Sequence, residues 1–248
     1  MTSEKKLARI AGSLYLIVAV LGGFAELSVR SSIVTPGDAA ATADNIRASA
    51  TLFRLGFMSD LVQATCFLLT AMALYLLLKH VNTLVASAMV TFVAVSVAIM
   101  CLNLLNQFVA LSIATGEGYS SVFGSAGSDT LAMLFVDMHH DGYLIAQMFF
   151  GLWLLPLGYL VVKSGYFPKA LGVVLMIGCV GYLADLFAHF LTPSVAESIT
   201  LFLLAPRGGR GTVARRLALG ESREGSRTGD AGSRHRLGRV PQRLSSGL

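Results

Sequence analysis

The sequence predicts an all-α protein that crosses a membrane several times, and three observations lead to this prediction. The chain has 248 residues, of which 54% are hydrophobic and only 13% are charged. Soluble domains carry about 25% charged residues. Several apolar runs approach or exceed the roughly 20 residues that a helix needs to cross a bilayer. Because backbone polar groups cannot stay unpaired in lipid, we expect a polytopic transmembrane helix bundle of about six spans.

The apolar runs predict five complete spans and the beginning of a sixth. The third run is longer than a bilayer requires, which indicates a helix that tilts or projects. In span four, Pro156 is a candidate kink, because proline lacks the N–H that a helix interior needs. The sixth run begins near Val195 and stops at Pro206. The five complete spans are expected over 8–29, 55–78, 84–113, 143–162 and 171–191. A short helix at 131–138 is expected to precede the fourth span.

The distribution of Lys and Arg predicts the orientation of these spans. Short cytoplasmic loops carry an excess of Lys and Arg. The loop 115–141 has neither, although the loop 30–54 has three Arg. We therefore expect a multi-pass protein of the bacterial cytoplasmic membrane with its N-terminus in the cytoplasm. The residues that define the cytoplasmic side are Lys5, Lys6, Arg9, Lys79, Lys163 and Lys169.

The first outer loop, TPGDAAATADNIRASATLFR, is predicted to contain a short helix at the membrane surface. Its Ala-rich part has a high helix propensity. Asp38 stands where an N-cap residue is expected.

The last 42 residues differ from the body in composition. Up to Pro206 the chain has 9 Lys+Arg and 11 Asp+Glu, whereas from Arg207 onward it has 10 Arg, no Lys and 3 acids. The basic charge thus belongs to the tail, and the body is not expected to bind nucleic acid. We divide the chain into a membrane domain, 1–206, and a disordered tail, 207–248. Because a shift of one base permits an apolar continuation, we hypothesise that this tail is read out of frame.

The ionisable and amide side chains singled out within the spans fall in the predicted outward half, and the inward half has almost none. Ionisable groups inside a membrane are candidates for functional residues. Asp185 and His189 are four residues apart, and Asn103 and Asn106 are three apart, so each pair shares a helix face. The candidate residues are Glu26, Asp60, Asn103, Asn106, Asp137, His140, Asp185 and His189, with Gln107, His139 and Asp141 beside them.

A structural role is the alternative for each of these residues. Buried Asn and Gln side chains commonly join helices to one another. His139, His140 and Asp141 would lie in an ordinary interfacial loop. Glu26 and Asp60 would form ion pairs with Arg30 or Arg54.

Three functions stay open at this point. The first is a non-enzymatic membrane component that binds a partner or lipid. The second is a secondary transporter that uses the carboxylates and histidines for a proton or a substrate. The third is an intramembrane metal-dependent hydrolase, with His139, His140 and His189 as the histidines of the spans. The sequence contains no Walker loop, dinucleotide fingerprint or HExxH motif, and the three cysteines form no zinc pattern. We expect contact with the lipid bilayer, no cofactor and no nucleic-acid partner, and the sequence leaves a protein partner open.

Most of the chain up to Pro206 resembles a bacterial family of multi-pass membrane proteins called domain of unknown function 4386. The resemblance implies a fold and a location, but no activity. Members of that family continue after the last matching stretch with a helix that contains Gly-Glu-Leu, from which this sequence departs. Among the matching stretches are ARIAGSLYLIVAVLGGFAELSVRSS, PGDAAATADNI, FRLGFMSDL, FFGLWLLPLGYLVVKSGYFPKALGVVLMIGCVGYLADLF and FLLAP.

Overall fold

The computed structural model describes residues 3–191, and this part of the chain is a bundle of long helices. Five helical segments in it are long and apolar enough to cross a membrane. The prediction of a polytopic all-α bundle is therefore confirmed, and the chain is a multi-pass membrane protein. The sixth span near Val195–Pro206 and the out-of-frame tail, 207–248, lie outside the described residues. The five segments are Glu4–Ile33, Ala50–Leu78, Thr83–Thr115, Glu117–Ser164 and Lys169–Leu191.

The first span changes its helical geometry near its end. Helix α1 (Ser3–Gly23) continues into a π-helical segment, Phe24–Arg30, and closes with one α-helical turn, α2 (Ser31–Ile33). A π-helical stretch inside an α-helix is rare and is found mostly at functional sites. Here it carries the charged residues Glu26 and Arg30.

The predicted helix in the first outer loop is present. Helix α3 (Ala39–Ala48) begins after Asp38, whose side chain accepts a hydrogen bond of 2.9 Å from the N–H of Ala41. The Arg47 side chain donates to the carbonyl oxygen of Ala114, at 2.9 Å, and pairs with Asp129. These contacts attach α3 to the two helices that follow the second span.

Spans two and three are α4 (Ala50–Leu78) and α5 (Thr83–Thr115), as predicted to within a few residues. The turn between them ends at Asn82, whose side chain accepts a 3.0 Å hydrogen bond from the N–H of Val85. This is an N-cap, which satisfies a donor that the helix itself leaves unpaired.

The prediction that most of 115–141 is a loop is wrong, whereas its outer position stays a prediction. Helix α6 (Glu117–Leu152) covers this segment, interrupted only at Gly124, where φ is +73°. The short helix expected at 131–138 is part of this same helix. Residues 116–130 are rich in Gly and Ser and have no apolar run, so their composition indicates a loop. The helix forms because Ser128, Asp129 and Ala132 are buried where α6 contacts α3 and α5.

Helix α6 ends at its C-cap residue Trp153, three residues before Pro156, although the backbone there keeps helical angles (φ −65°, ψ −24°). The kink at Pro156 stays a prediction. Helix α7 (Leu154–Ser164) follows, and Gly165, with φ of +71°, ends it. Helix α8 (Lys169–Leu191) packs closely on α7. A Cβ atom on Gly158 would overlap the carbonyl oxygen of Gly172.

The described part has two apolar clusters. The larger cluster joins α1, α4, α5, α7 and α8, and the smaller one lies under α3. The buried members of the larger cluster include Val18, Phe67, Leu78, Met89, Val93, Trp153, Leu157, Leu160 and Cys179. Those of the smaller cluster include Val29, Ile33, Ile46, Phe53, Leu111 and Ala132.

Candidate functional site

Arg30 is the centre of the first polar group. Its Nη1 atom donates to Oδ2 of Asp60 at 2.6 Å, and its Nε atom donates to Oε2 of Glu26 at 2.9 Å. Asp60 is only 7% exposed, whereas the Glu26 side chain is 61% exposed. The ion pair considered from the sequence is therefore present, and Arg30 rather than Arg54 supplies it.

Small residues allow α1 and α4 to approach closely around this pair. Val29, next to Arg30, contacts Gly56, which lies one turn before Asp60. A Cβ atom on Gly56 would overlap the Val29 side chain. Close approach of two backbones is the usual role of small residues between membrane helices. It brings Arg30 and Asp60 within hydrogen-bonding distance of each other.

Asn103 and His139 form the second polar contact, between α5 and α6. The Asn103 amide donates to the carbonyl oxygen of His139 at 2.7 Å, and the Nδ1 atom of His139 lies 3.3 Å from the carbonyl oxygen of Asn103. Asn106 donates to Oδ1 of Asn103 at 3.0 Å. A Cβ atom on Gly142 would overlap the Asn103 amide. His139 is thus a buried helical residue and does not lie in an interfacial loop.

A small cavity lies between these two polar contacts. Its volume is about 10 Å³, which is roughly the room that one water molecule needs. Five of its seven lining residues have polar side chains, and a buried water needs two to four polar partners. The residues that line the cavity are Arg30, Asp60, Met100, Asn103, Leu104, His139 and Tyr143.

His140 lies on another face of α6 than His139, opposite His189 of α8. The His140 and His189 rings are 6.0 Å apart between centroids, and Nε2 of His189 is 3.5 Å from Oδ1 of Asp141. Asp137 is one turn before Asp141 on the same helix. The His189 and Asp141 side chains are 40% and 53% exposed. Adjacent His139 and His140 therefore point apart, as expected for neighbours on a helix.

Asp185 belongs to neither group. Its Oδ2 atom accepts a 3.0 Å hydrogen bond from Nε2 of Gln147, which is 8% exposed. Gln147 is not among the candidate residues predicted from the sequence, although a Gln inside an apolar run is a pattern that could have identified it. The Arg47–Asp129 pair was also missed, because Asp129 stood in a segment predicted to be a loop.

The candidate residues consequently do not converge on one cavity. Glu26, Asp60, Asn103 and Asn106 lie on the side of α6 that faces α1, α4 and α5. His140 faces His189 of α8, and Asp185 of α8 pairs with Gln147 of α6. Asp137 is exposed, one turn before Asp141 on α6. Among residues 3–191 no three His, Cys, Asp or Glu side chains are arranged to hold a metal ion.

Comparison with known proteins gives a family, but no activity. The family described as "Domain of unknown function (DUF4386)" matches residues 10–209. An uncharacterized protein of Archaeoglobus fulgidus is 46% identical over 46 residues, which is 18% of this chain and 28% of that protein. The chain thus matches less than a third of the length of this relative. No solved structure matches the chain.

Proposed function

Since the chain belongs to the DUF4386 family, we propose that it is a non-enzymatic integral membrane protein whose buried polar side chains join its spans to one another. The observation that carries this proposal is the Arg30–Asp60 pair, which connects α1 to α4. Asn103 and His139 connect α5 to α6 in the same way, and Gln147 and Asp185 connect α6 to α8. Asp60, Asn103 and Asp185 thus each form a hydrogen bond to a neighbouring helical segment.

The energetics of membrane helices support this role. An interhelical hydrogen bond contributes about 0.6 kcal/mol on average and up to about 1.7 kcal/mol. Removing one partner of a buried ion pair costs more, about 3–5 kcal/mol, because the other charge is left without compensation. The Arg30–Asp60 pair is therefore the contact whose loss has the largest effect among the polar contacts.

A double-mutant cycle on this pair tests the proposal. Arg30→Met, which leaves Asp60 buried without its partner, is expected to lower the free energy of unfolding in lipid-free mixed micelles by about 3–5 kcal/mol. Asp60→Leu is expected to lower it by less, because Arg30 still pairs with Glu26. The double variant is expected to recover most of the loss, because no buried charge remains. Arg54→Met is the matched control, since the exposed Arg54 forms no ion pair within the described part. Single variants as stable as the wild type would contradict the structural role.

We propose further that the chain lies in the bacterial cytoplasmic membrane with its N-terminus inside. The Tyr166 hydroxyl donates to Glu4 at 3.0 Å, and the Tyr166 ring is 5.2 Å from that of His80. This hydrogen bond raises the pKa of Tyr166 above its ordinary value. These contacts support the orientation because they gather the three Lys-bearing ends of the bundle on one side.

Labelling of single cysteines in intact cells tests the orientation. After Cys66, Cys101 and Cys179 are replaced by Ala, a membrane-impermeant maleimide should label Gly37→Cys but leave Asn82→Cys unlabelled. The reverse pattern would place the N-terminus outside.

A transporter is the second candidate, and the π-helical segment favours it. Transporter sites are commonly built from interrupted spans. Here the first span is π-helical over Phe24–Arg30. In proteoliposomes with an internal pH-sensitive dye, a transporter would show proton flux that Asp60→Asn abolishes without loss of folding.

The hydrolase hypothesis would need a bound metal that is lost in His140→Ala or His189→Ala.

A further inference from the structure

A groove between α4 and α5 has no part in the role proposed for the buried polar side chains. Its volume is about 280 Å³, at the lower end of the roughly 300–1,000 Å³ of small-molecule sites. Its surface is almost entirely apolar. It is separate from the Arg30–Asp60 cavity. Its lining residues are Phe53, Arg54, Phe57, Met58, Gln107, Phe108 and Leu111.

Two polar groups of this groove lack partners within residues 3–191. The Arg54 guanidinium is exposed and has neither an ion pair nor a hydrogen bond there. Gln107 is 2% exposed, and its Oε1 atom has no hydrogen-bond partner in that region. Its Nε2 atom reaches the carbonyl oxygen of Phe53 only at 3.5 Å. A buried acceptor without a donor is unfavourable, so an occupant that brings a donor would stabilise the site.

The apolar part of the groove is placed to hold a hydrocarbon chain. Met58 and Phe108 are 50% and 55% exposed, and the Phe57 and Phe108 rings are 6.2 Å apart between centroids. Arg54 is one turn nearer the beginning of α4 than Met58, and therefore nearer the end of the span. An amphiphile with its head at Arg54 would extend its chain along Met58 and Phe108 toward the middle of the membrane.

We propose that this groove binds one anionic phospholipid whose headgroup carries hydroxyl groups, such as phosphatidylglycerol. Its phosphate pairs with Arg54, a headgroup hydroxyl donates to Oε1 of Gln107, and one acyl chain occupies the apolar groove. Arginine suits this partner because its planar guanidinium binds phosphate oxygens in pairs. The assignment rests on charge complementarity at Arg54 together with the unpaired, buried Gln107.

Lipid titration of the purified full-length chain in mild detergent tests the proposal. Phosphatidylglycerol should raise the melting temperature more than phosphatidylcholine of the same acyl chains, because phosphatidylcholine has no net charge and no headgroup donor. Arg54→Gln should weaken binding of phosphatidylglycerol about tenfold, since a charge-assisted hydrogen bond is lost. Lys79→Gln, at the other end of α4, should leave binding unchanged. Equal effects of the two lipids, or of the two substitutions, would overturn the proposal.

The apolar groove is tested by a matched pair on α4. Met58 and Met72 are both 50% exposed, but only Met58 lines the groove. Met58→Trp should fill it and abolish the stabilisation by phosphatidylglycerol, whereas Met72→Trp should not. In addition, a photo-reactive benzoylphenylalanine in place of Phe108 should give a lipid adduct in native membranes. An adduct with polypeptide, from this chain or a second copy, would show that protein fills the groove and would overturn the proposal.

Discussion

One half of the helix bundle is packed with large apolar side chains, whereas the other half is crossed by charged and amide groups. In the apolar half, Phe67 and Trp153 meet edge to face at 5.1 Å, and both are 2% exposed. In the polar half, Asp60 and Asn103 are nearly as well buried, but each is bound to a neighbouring helix by a hydrogen bond. The same helices are therefore held together by two kinds of interaction along their length.

The difference matters because lipid surrounds both halves. Lipid tails are as apolar as leucine, so membrane helices associate through close packing and hydrogen bonds. The apolar half depends on shape, and its variants should respond to side-chain volume. The polar half depends on hydrogen bonds and ion pairs. The stability of its variants should therefore depend on whether a substitution leaves a buried polar group without its partner.

The largest effect is expected from Trp153→Ala in the apolar half. Truncation of a buried Trp leaves a cavity and costs about 3–5 kcal/mol. Trp153→Phe is the matched control, because it keeps most of the ring while removing an Nε1 atom that has no partner in the described region. Denaturant titration in mixed micelles should show a much smaller loss for Phe than for Ala. Equal losses would mean that volume does not determine stability in this half.

Gly158→Ala is expected to have the next largest effect. The added Cβ would lie against the carbonyl oxygen of Gly172, so α7 and α8 must move apart. Overpacking of this kind typically costs about 1–3 kcal/mol. Gly12→Ala is the control, because nothing lies within 4 Å of its added Cβ atom. If Gly12→Ala were as destabilising, helix contact would not be the reason.

Much of this architecture was predictable from the sequence, and the exceptions have a common cause. Spans and the Asp38 cap follow from apolar run length and local chemistry, so α3, α4 and α5 were predicted closely. The helix over 117–141 was not, because its stability comes from burial of Ser128 and Asp129 against other elements. Local composition contains no information about such contacts.

The candidate site shows the same limit. Which residues are polar inside a span is visible in the sequence, so Asp60, Asn103 and Asp185 were found. Which partner each one takes depends on helix rotation and on the π-helical segment, and neither is encoded in a simple periodicity. The sequence therefore left Arg30 and Arg54 as equal partners for Asp60, and only the structure distinguishes them.

Asn103→Leu is expected to lower stability moderately in the polar half. It removes the hydrogen bond to His139, which is worth about 0.6–1.7 kcal/mol in a membrane bundle. Asn106→Leu should have less effect, because Asn106 bonds the Asn103 side chain on its own helix. A comparison of the two unfolding free energies checks this order. The opposite order would indicate that the contact between α5 and α6 is not the stabilising one.

The smallest effect is expected from the caps and exposed pairs of α3. Asp38→Ala removes the hydrogen bond to Ala41 and should cost about 1 kcal/mol. Asp44→Ala removes only an exposed pair with Arg47, worth about 0–1 kcal/mol. Because α3 is short, both losses should appear as faster amide hydrogen exchange in Ala39–Ala48, with the spans unchanged. Faster exchange in α4 as well would mean that α3 stabilises the bundle beneath it.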